Sequence, residues 1–290
     1  MIIQQETEPS GSSHSTYKRR GDSGGRPSTL ALHVGSHLDP GIRRKHRPNE
    51  DTVIVSQGVI PSSLASVPPQ PFVLLVVADG MGGQGHGQEA STLAAQSLVE
   101  YISSSLSSQS KPSTDLLSLL SAGVQFANQA VYQRNQEQQT VMGTTMTVAL
   151  VSETTAYIAH VGDSRLYLYR EPYGMAQLTR DHSIVASLVA RGIIAPDDIY
   201  THPQRNLVYR SLGAEANVEV DAFTEPLVAG DTLLLCSDGL WEMVRDRQIA
   251  DLLATPRSTP SAIAHTLIQA ALAGGGDDNV SAIVAQMSKL

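Results

Sequence analysis

Two apolar runs in the sequence end in the same dipeptide, Asp-Gly, and this repetition is the feature that most constrains how the chain can fold. Residues 72–78 lead into Asp79-Gly80, and residues 233–236 lead through Ser237 into Asp238-Gly239. Uninterrupted apolar runs of this length are typical of strands buried on both faces. A single Asp-Gly after a strand usually marks a hairpin turn. Here, however, more glycines follow in residues 82–87 and lead into a helical pattern, which allows backbone groups to approach an ion or a phosphate closely.

Three further acidic positions lie beside predicted strands or in glycine-rich turns. They are Glu50-Asp51, Asp163 and Asp277-Asp278. Several carboxylates at neighbouring strand ends, without a His or Cys cluster at ligand spacing, favour an oxygen-only site for Mg²⁺ or Mn²⁺ rather than for zinc. A pair of such cations supports attack of an activated water on phosphorus, so no nucleophilic side chain is required. The one cysteine, Cys236, lies inside a predicted strand.

Hydrophobic periodicity divides the chain into a tail and one domain. Residues 1–29 are polar and predict a disordered tail, and residues 30–288 predict the folded domain. Helical spacing is found in residues 87–106, 113–131, 183–191, 246–254 and 260–273. Strand patterns are found in residues 52–55, 72–78, 144–151, 155–161, 165–169, 232–236 and 280–286. Residues 144–169 predict an antiparallel meander, residues 61–71 a hairpin loop and residues 193–210 a surface insertion. Together these blocks predict an α+β layered sandwich.

Composition argues against several classes of function. The net charge is −8, and an acidic surface repels phosphate backbones, so no nucleic-acid partner is expected. The apolar runs are much shorter than the roughly 20 residues of a membrane-spanning helix, so no membrane association is expected. Residues 1–15 do not resemble a secretory signal, and a single cysteine cannot form an intrachain disulfide. We therefore expect a cytoplasmic protein.

Eight short segments of the sequence follow one another in this order: 48–51 (PNED), 77–83 (VADGMGG), 143–145 (GTT), 160–165 (HVGDSR), 178–183 (LTRDHS), 211–213 (SLG), 236–241 (CSDGLW) and 278–280 (DNV). In content and order they resemble the motifs of the protein phosphatase 2C (PP2C or PPM) family of metal-dependent serine/threonine protein phosphatases, in its bacterial form. Each segment is weak alone, but eight in order across residues 33–286 are specific. The resemblance implies a PP2C-like α/β/β/α sandwich, in which helices flank two antiparallel sheets and metals lie at one end.

The resemblance also implies a set of metal ligands. Asp79 would bridge two core ions, either Mn²⁺ or Mg²⁺, and Gly80 would offer its carbonyl oxygen. Asp238 and Asp278 would complete the ligands of the second ion.

Three more acidic residues acquire roles from the same resemblance. Glu50 and Asp51 correspond to an acidic pair that acts near the metals, directly or through water. Asp163 with Asp238 corresponds to a third, weaker metal site of bacterial relatives, although an aspartate between two strands is also a common turn residue. Residues 184–210 correspond to a flap beside the catalytic cleft.

Two positions depart from the family pattern. In the family an arginine shortly before the acidic pair binds the substrate phosphate, but His46 stands at that spacing here. Counting forward from Gly41 selects Arg44, whereas proximity to the acidic pair selects Arg47. We select Arg44, with Arg47 as the alternative, since one guanidinium is sufficient to hold the phosphate oxygens. Met81 stands where eukaryotic members carry a histidine proposed as general acid, which leaves the general acid unassigned.

The expected activity is hydrolysis of phosphoserine and phosphothreonine in proteins by a water between two cations, without a phosphoenzyme. The expected partners are phosphorylated proteins, either serine/threonine kinases or their substrates, and the chain is expected to act as a monomer. Two alternatives stay open. A catalytically silent relative that binds phosphoproteins should lack core carboxylates, and a hydrolase of small phosphoesters is not excluded by the sequence.

Overall fold

The computed structural model describes residues 30–62, 68–107 and 115–289, and the tail predicted to be disordered, residues 1–29, lies outside these ranges. The strands are β1 Leu30–Asp39, β2 Asp51–Ile60, β3 Gln70–Gly82, β4 Met142–Thr144, β5 Met146–Ser152, β6 Thr155–Val161, β7 Arg165–Arg170, β8 Gly174–Gln177, β9 Asp221–Pro226, β10 Thr232–Cys236 and β11 Val280–Lys289. The α-helices are α1 His86–Ser107, α2 Leu116–Gln138, α3 Ile184–Ala190, α4 Asp238–Trp241, α5 Asp246–Leu253 and α6 Pro260–Ala273. Short 3₁₀ turns occupy Gly83–Gly85 and Pro196–Tyr200.

The described strands form two antiparallel sheets that stack face to face. One sheet has the order β1-β11-β10-β7-β8, and the other has the order β2-β3-β5-β6-β9, with β4 beside β3. Helices α1 and α2 pack on the outer face of the second sheet, and α4, α5 and α6 pack on the outer face of the first. The predicted α/β/β/α sandwich of two antiparallel sheets flanked by helices is therefore confirmed.

Burial on both faces explains the uninterrupted apolar runs of β3 and β10. Leu75 and Val77 lie in the apolar layer between the two sheets, whereas Leu74 and Val76 lie in the layer beneath α1 and α2. Residues of β10 alternate in the same way between the central layer and the layer beneath α4–α6. Each fully buried Leu or Val contributes about 1.5–3 kcal/mol relative to an exposed one. The two strands are thus fixed firmly, and so are the acidic residues at their ends.

The predicted meander is wrong at its third strand. Strands β5 and β6 pair, but β7 belongs to the other sheet, where it lies between β10 and β8. The chain changes sheets at Gly162, whose φ of +112° favours glycine, and a Cβ there would lie 2.6 Å from the Thr145 side chain. Local alternation predicts that a strand is present, but it carries no information about which sheet the strand joins.

Three strands, β1, β8 and β9, are absent from the sequence prediction. All three are edge strands, and much of each is only half-buried or exposed. An edge strand buries fewer apolar side chains, so its sequence pattern is weaker.

The connections between strands and helices agree with the sequence prediction more closely than the edge strands do. Strands β2 and β3, on either side of the hairpin loop predicted at residues 61–71, pair antiparallel, and β3 already begins at Gln70; residues 63–67 of the loop lie outside the described ranges. Helix α3 begins after Ser183, whose side chain accepts a hydrogen bond from the Ala186 N–H, and Gly192 follows its end with a φ of +67°. None of the helices in the described ranges is both long and apolar enough to cross a membrane.

Candidate metal centre

Four aspartates meet where strands of the two sheets end. Asp51 begins β2 and is the register partner of Asp79 on β3. Asp238 stands two residues after the end of β10, and Asp278 stands two residues before the start of β11. Because β10 and β11 are antiparallel neighbours, the end of one lies beside the start of the other. The stacking of the sheets then brings both pairs of aspartates to the same end of the sandwich.

A serine hydroxyl connects the two pairs. The Oγ of Ser237 donates a hydrogen bond to Oδ2 of Asp51 at 2.7 Å, across the gap between the sheets. The backbone N–H of Ser281, on β11, donates to the same Oγ at 3.0 Å, which fixes the direction of the hydroxyl. Oδ2 of Asp51 is therefore held by the protein, whereas its Oδ1 has no hydrogen-bond partner.

Glycines permit the close packing around Glu50. A Cβ at Gly80 would lie 2.0 Å from the carbonyl oxygen of Gly87, and a Cβ at Gly87 would lie 2.5 Å from Oε1 of Glu50. The Gly80 N–H donates to the Glu50 carbonyl at 3.1 Å, and the Glu50 N–H donates to Oδ1 of Asn279 at 2.8 Å. Gly80 and Gly87 are thus required for packing beside the carboxylates. The chain after Asp79 forms no hairpin but continues as β3 to Gly82 and then enters the glycine-rich turn Gly83–Gly85.

The carboxyl groups are strongly perturbed by burial and by one another. Burial is the largest cause in each case, and it raises the pKa of Asp51 and of Asp278 to about 7 and that of Asp238 to about 6. Burial and then the neighbouring carboxylates raise the pKa of Asp79 and of Asp163 well above the usual range. A protein without cations therefore holds this cluster partly protonated.

The residues present fit divalent cations. Oδ1 of Asp51 and Oδ1 of Asp238 are buried without a hydrogen-bond partner, although buried carboxylate oxygens are normally paired. The available donors are oxygens, as Mg²⁺ and Mn²⁺ prefer. Within the described ranges no three His, Cys, Asp or Glu side chains already stand as ligands around one point.

Asp163 lies at the edge of the same cluster. It is 3% exposed, and its backbone carbonyl accepts a hydrogen bond from the indole N–H of Trp241 at 3.0 Å. Asp238 and Glu242 are among the negative groups that raise the pKa of the Asp163 carboxyl. An aspartate that serves only a turn is usually exposed, so this burial favours a role in the cluster.

Glu242 is an acidic residue of the site that the sequence analysis misses. Oε1 of Glu242 is buried without a partner, while Oε2 accepts from Nε of Arg205 at 3.2 Å. Glu242 stands four residues after Asp238, one helical turn away, and this spacing is the signal that could have found it.

Of the two candidate arginines, the structure brings Arg44 to the carboxylates. Nη1 of Arg44 lies 2.7 Å from Oδ1 of Asp278 and 3.4 Å from Oε2 of Glu50. Arg47 is exposed, as is His46. Met81 lies opposite Gly143 in the β3–β4 pair, next to the cluster.

The raised pKa values predict a pH dependence of stability for the metal-free protein. Folded Asp51 and Asp278 hold protons up to about pH 7, whereas the unfolded groups release them near 3.8. The contribution of these two groups to the free energy of unfolding is present in full below about pH 4 and is lost as the pH rises through 7. Buried His160, whose pKa burial lowers to about 3, has the opposite effect, but only below about pH 6.5.

We therefore expect the free energy of unfolding in chelator to fall by roughly 1–2 kcal/mol between pH 6.5 and 8, or several degrees in Tm. Saturating Mn²⁺ should abolish this fall, because cations bind the ionised carboxylates. Thermal melts with and without Mn²⁺ measure both effects. A metal-free Tm that is constant or rises over this range would contradict the prediction.

The fold and the acidic centre together define a class of protein: stacked antiparallel sheets between helices, with an oxygen-donor cation site at one end. The family model described as "Protein phosphatase 2C" matches residues 62–273. The chain belongs to the protein phosphatase 2C family.

Two curated relatives illustrate the similarity. The chain is 36% identical over 261 residues to the serine/threonine protein phosphatase PstP of Mycobacterium tuberculosis (strain H37Rv), covering 89% of this chain and 46% of PstP. It is also 36% identical over 263 residues to the serine/threonine phosphatase stp of Listeria monocytogenes (strain EGD-e), covering 88% of this chain and 96% of stp. The chain thus spans about half the length of PstP and nearly all of stp.

Solved structures show the same fold. The crystal structure of M. tuberculosis PstP/Ppp matches with a TM-score of 0.73 and 35% identity, covering 89% of this chain and 99% of that one. A structure of the PstP catalytic domain in complex with two manganese ions matches with a TM-score of 0.72 and 34% identity, covering 90% and 100%. The Streptococcus agalactiae serine/threonine phosphatase matches with a TM-score of 0.75 and 28% identity, covering 88% and 99%.

Proposed function

We propose that this chain is a metal-dependent phosphatase that hydrolyses phosphoserine and phosphothreonine in proteins. The observation that carries the proposal is the buried carboxylate cluster, with its unpartnered oxygens on Asp51 and Asp238, in a chain 36% identical to serine/threonine phosphatases. Two Mn²⁺ or Mg²⁺ ions are the proposed cofactors, and the PstP structure with two manganese ions supports this choice.

The aspartates at the strand ends are the proposed ligands of these ions. Asp79 and the Gly80 carbonyl would help to hold both ions, and Asp238 and Asp278 would help to hold the second. When bound, the cations would supply positive charge that polarises a phosphoryl group and lowers the pKa of a water, so that the water can lose a proton and attack the phosphorus. A third ion between Asp163 and Asp238 is proposed on the burial of both carboxyl groups.

The remaining polar groups position the reactants. Glu50 and Asp51 would hold the ions directly or through water, and the Ser237 hydroxyl keeps one Asp51 oxygen in place. Arg44 would bind the substrate phosphate through its guanidinium, which already lies 2.7 Å from Asp278 at the edge of the cluster. The exposure of Arg47 supports this choice over the alternative.

The proposed reaction forms no phosphoenzyme. Burial raises the pKa of the Cys236 thiol far above its usual range, so the thiol stays protonated and cannot serve as a nucleophile. Water is the proposed nucleophile, and the group that protonates the leaving alkoxide stays unassigned.

The proposed flap, residues 184–210, belongs to the same domain, residues 30–288. One of its contacts with the site is the ion pair between Arg205 and Glu242 at 3.2 Å. Phosphorylated proteins are the proposed partners. That these are serine/threonine kinases or their substrates, and that the chain is monomeric and cytoplasmic, stay predictions from the sequence.

The proposal is tested by phosphate release from a phosphothreonine peptide. The purified full chain is assayed with Mn²⁺ or Mg²⁺, then with excess chelator, and then with metal restored. We expect release only with metal, and full recovery on its return, since the carboxylates cannot polarise a phosphate themselves. A phosphotyrosine peptide of the same sequence and p-nitrophenyl phosphate serve as comparison substrates.

Other outcomes would contradict the proposal in distinguishable ways. Hydrolysis of p-nitrophenyl phosphate but of neither peptide would favour a small-phosphoester hydrolase. A chain that binds Mn²⁺, shown by a thermal shift, but hydrolyses none of the three substrates would favour a silent phosphoprotein-binding relative.

A further inference from the structure

Residues 43–47 form an uninterrupted basic run, Arg-Arg-Lys-His-Arg, in an otherwise acidic chain. The whole chain has 20 Lys and Arg residues and a net charge of −8. Four of those 20 residues stand within these five positions. Positive charge is thus concentrated in this short loop. The phosphate-binding role proposed for Arg44 accounts for only one of its four Lys and Arg residues.

This loop lies directly beside the proposed active site. Its second residue, Arg44, contacts Asp278 through Nη1 at 2.7 Å. The Arg47 N–H donates to the Arg44 carbonyl at 2.7 Å, which closes a turn. The next residue, Pro48, approaches the glycine-rich turn, since its Cγ would lie 3.9 Å from a Cβ at Gly85. The turn at residues 45–47 therefore lies between the carboxylate cluster and the glycine-rich turn.

The residues of this loop divide into two that are paired and three that have no ion-pair partner in the described part of the chain. Arg43 pairs with Asp277 at 3.0 Å, as Arg44 does with Asp278. Lys45, His46 and Arg47 are exposed, and within the described part of the chain none of their side chains makes an ion pair or a hydrogen bond. The positive charges of Lys45 and Arg47 are therefore available to a molecule that approaches the site.

We propose that Lys45, His46 and Arg47 form a basic rim that selects phosphoprotein segments with acidic residues next to the phosphorylated serine or threonine. This inference rests on the proposed phosphatase function and specifies its substrates. An extended peptide places neighbouring residues about 3.3 Å apart, so residues two or three positions from the phosphate can reach the rim. Exposed cations mainly accelerate association and hold acidic partners through screened attraction.

The test compares two phosphothreonine peptides that differ only in their flanks, one with Asp and Glu and the other with Lys and Arg. The ratio of their kcat/KM values is measured for the wild-type full chain with saturating Mn²⁺. Two or three exposed ion pairs correspond to a preference of about fivefold to tenfold for the acidic peptide at low salt. The preference should shrink when the ionic strength rises to about 0.5 M, because the Debye length shortens.

Charge-reversal variants identify the rim as the cause. Lys45→Glu/Arg47→Glu should abolish or invert the ratio of the two kcat/KM values, and Lys45→Glu alone should reduce it. The single variant leaves Arg47, the alternative phosphate-binding arginine, unchanged. The matched control is Arg257→Glu/Lys289→Glu, which makes the same charge change at two exposed positions. Lys289 ends β11, nine residues or about 30 Å from the site end of that strand, and the control should keep the wild-type ratio.

Three results would overturn the inference. One is equal kcat/KM values for the two peptides in an active wild-type enzyme, which would leave the proposed function intact. Another is an equal loss of preference in the control, which would assign the selectivity to net charge. Failure of the wild-type enzyme to hydrolyse either peptide or p-nitrophenyl phosphate with Mn²⁺ would overturn the proposed function and this inference together.

Discussion

Asp79→Asn is expected to lower the rate of phosphate release from a phosphothreonine peptide about a thousandfold or more while the protein stays folded. Asp79 is the proposed bridge between the two cations, and an amide cannot replace a bridging carboxylate. A loss of about 4 kcal/mol of transition-state stabilisation corresponds to that factor. The effect should persist at saturating Mn²⁺ and appear in kcat.

The folded state should tolerate this substitution unusually well. Burial and the charges of Asp51 and Asp238 raise the pKa of Asp79, so the ionised carboxylate is destabilising in the metal-free protein. Asparagine has nearly the same shape and no charge. We therefore expect the Tm in chelator to stay the same or rise, and the increase in Tm caused by Mn²⁺ to be lost.

A second buried aspartate provides the matched control. Asp231 stands at the opposite end of β10 from Asp238 and forms two hydrogen bonds with Arg170, at 2.7 and 2.6 Å. Asp231→Asn should cost about 1–3 kcal/mol of stability but leave the activity of the folded enzyme unchanged. Wild-type turnover in Asp79→Asn, or a lost response to Mn²⁺ in Asp231→Asn, would contradict the metal assignment.

The parts of the fold that are predictable from sequence are those in which local pattern and burial coincide. Strands β3 and β10 are buried on both faces, so their apolar runs identify them directly. The Asp-Gly dipeptides mark the ends of the apolar runs, but β3 itself continues past Asp79-Gly80 to Gly82, where it pairs with β4. Helix α6 is predicted at its exact bounds because Thr259 caps its start and glycines follow its end.

Sheet membership and long-range contacts are not encoded locally. The pattern of β7 resembles that of β6, yet β7 joins the other sheet, since the choice depends on Gly162 and on pairing with β10, about 70 residues away. The meeting of Asp51 with Ser237 across 186 residues is likewise a result of sheet stacking. Composition predicts an oxygen-donor site, but only the stacking determines which carboxylates share it.

The choice of the proposed phosphate-binding arginine shows the same limit. Counting along the chain leaves Arg44 and Arg47 open, because residues 43–47 do not fit the spacing expected from the family pattern. The turn in this segment, closed by the Arg47 N–H on the Arg44 carbonyl, orients the two side chains differently. A motif spacing is therefore reliable only where the backbone between its residues keeps its length.

The largest loss of stability is expected from Asp181→Ala, which removes the nearest carboxylate partner of a buried arginine. Arg165 and Asp181 are 4% and 2% exposed, and the guanidinium donates to both carboxylate oxygens, with a shortest distance of 2.7 Å. Removing one partner of a buried ion pair typically costs about 3–5 kcal/mol. The second carboxylate near Arg165, that of Asp246, is 3.7 Å away and half exposed, so it compensates the remaining charge only in part. Urea denaturation in chelator measures this loss without a contribution from metal binding.

Two comparison variants separate the buried charge from lost packing. Arg165→Met/Asp181→Leu removes both charges and should recover much of the stability, since replacing a buried pair with apolar residues is often neutral. Glu89→Gln breaks the half-exposed pair with Arg134 and should cost less than about 1 kcal/mol. If Asp181→Ala were no more harmful than Glu89→Gln, the buried pair would not be the stabilising contact.

The same substitution should also weaken the site at a distance. The Arg165 guanidinium lies 3.6 Å above the Trp241 ring, and the Trp241 indole N–H holds the backbone carbonyl of Asp163. Without Asp181 the guanidinium keeps its contacts with Tyr167 and Asp246 but loses its closest ion pair, so we expect it to shift from the indole and Trp241 to hold Asp163 less firmly. Mn²⁺ titrations of the folded Asp181→Ala protein should therefore show weaker binding of the ion proposed at Asp163, whereas Glu89→Gln should bind it as the wild type does.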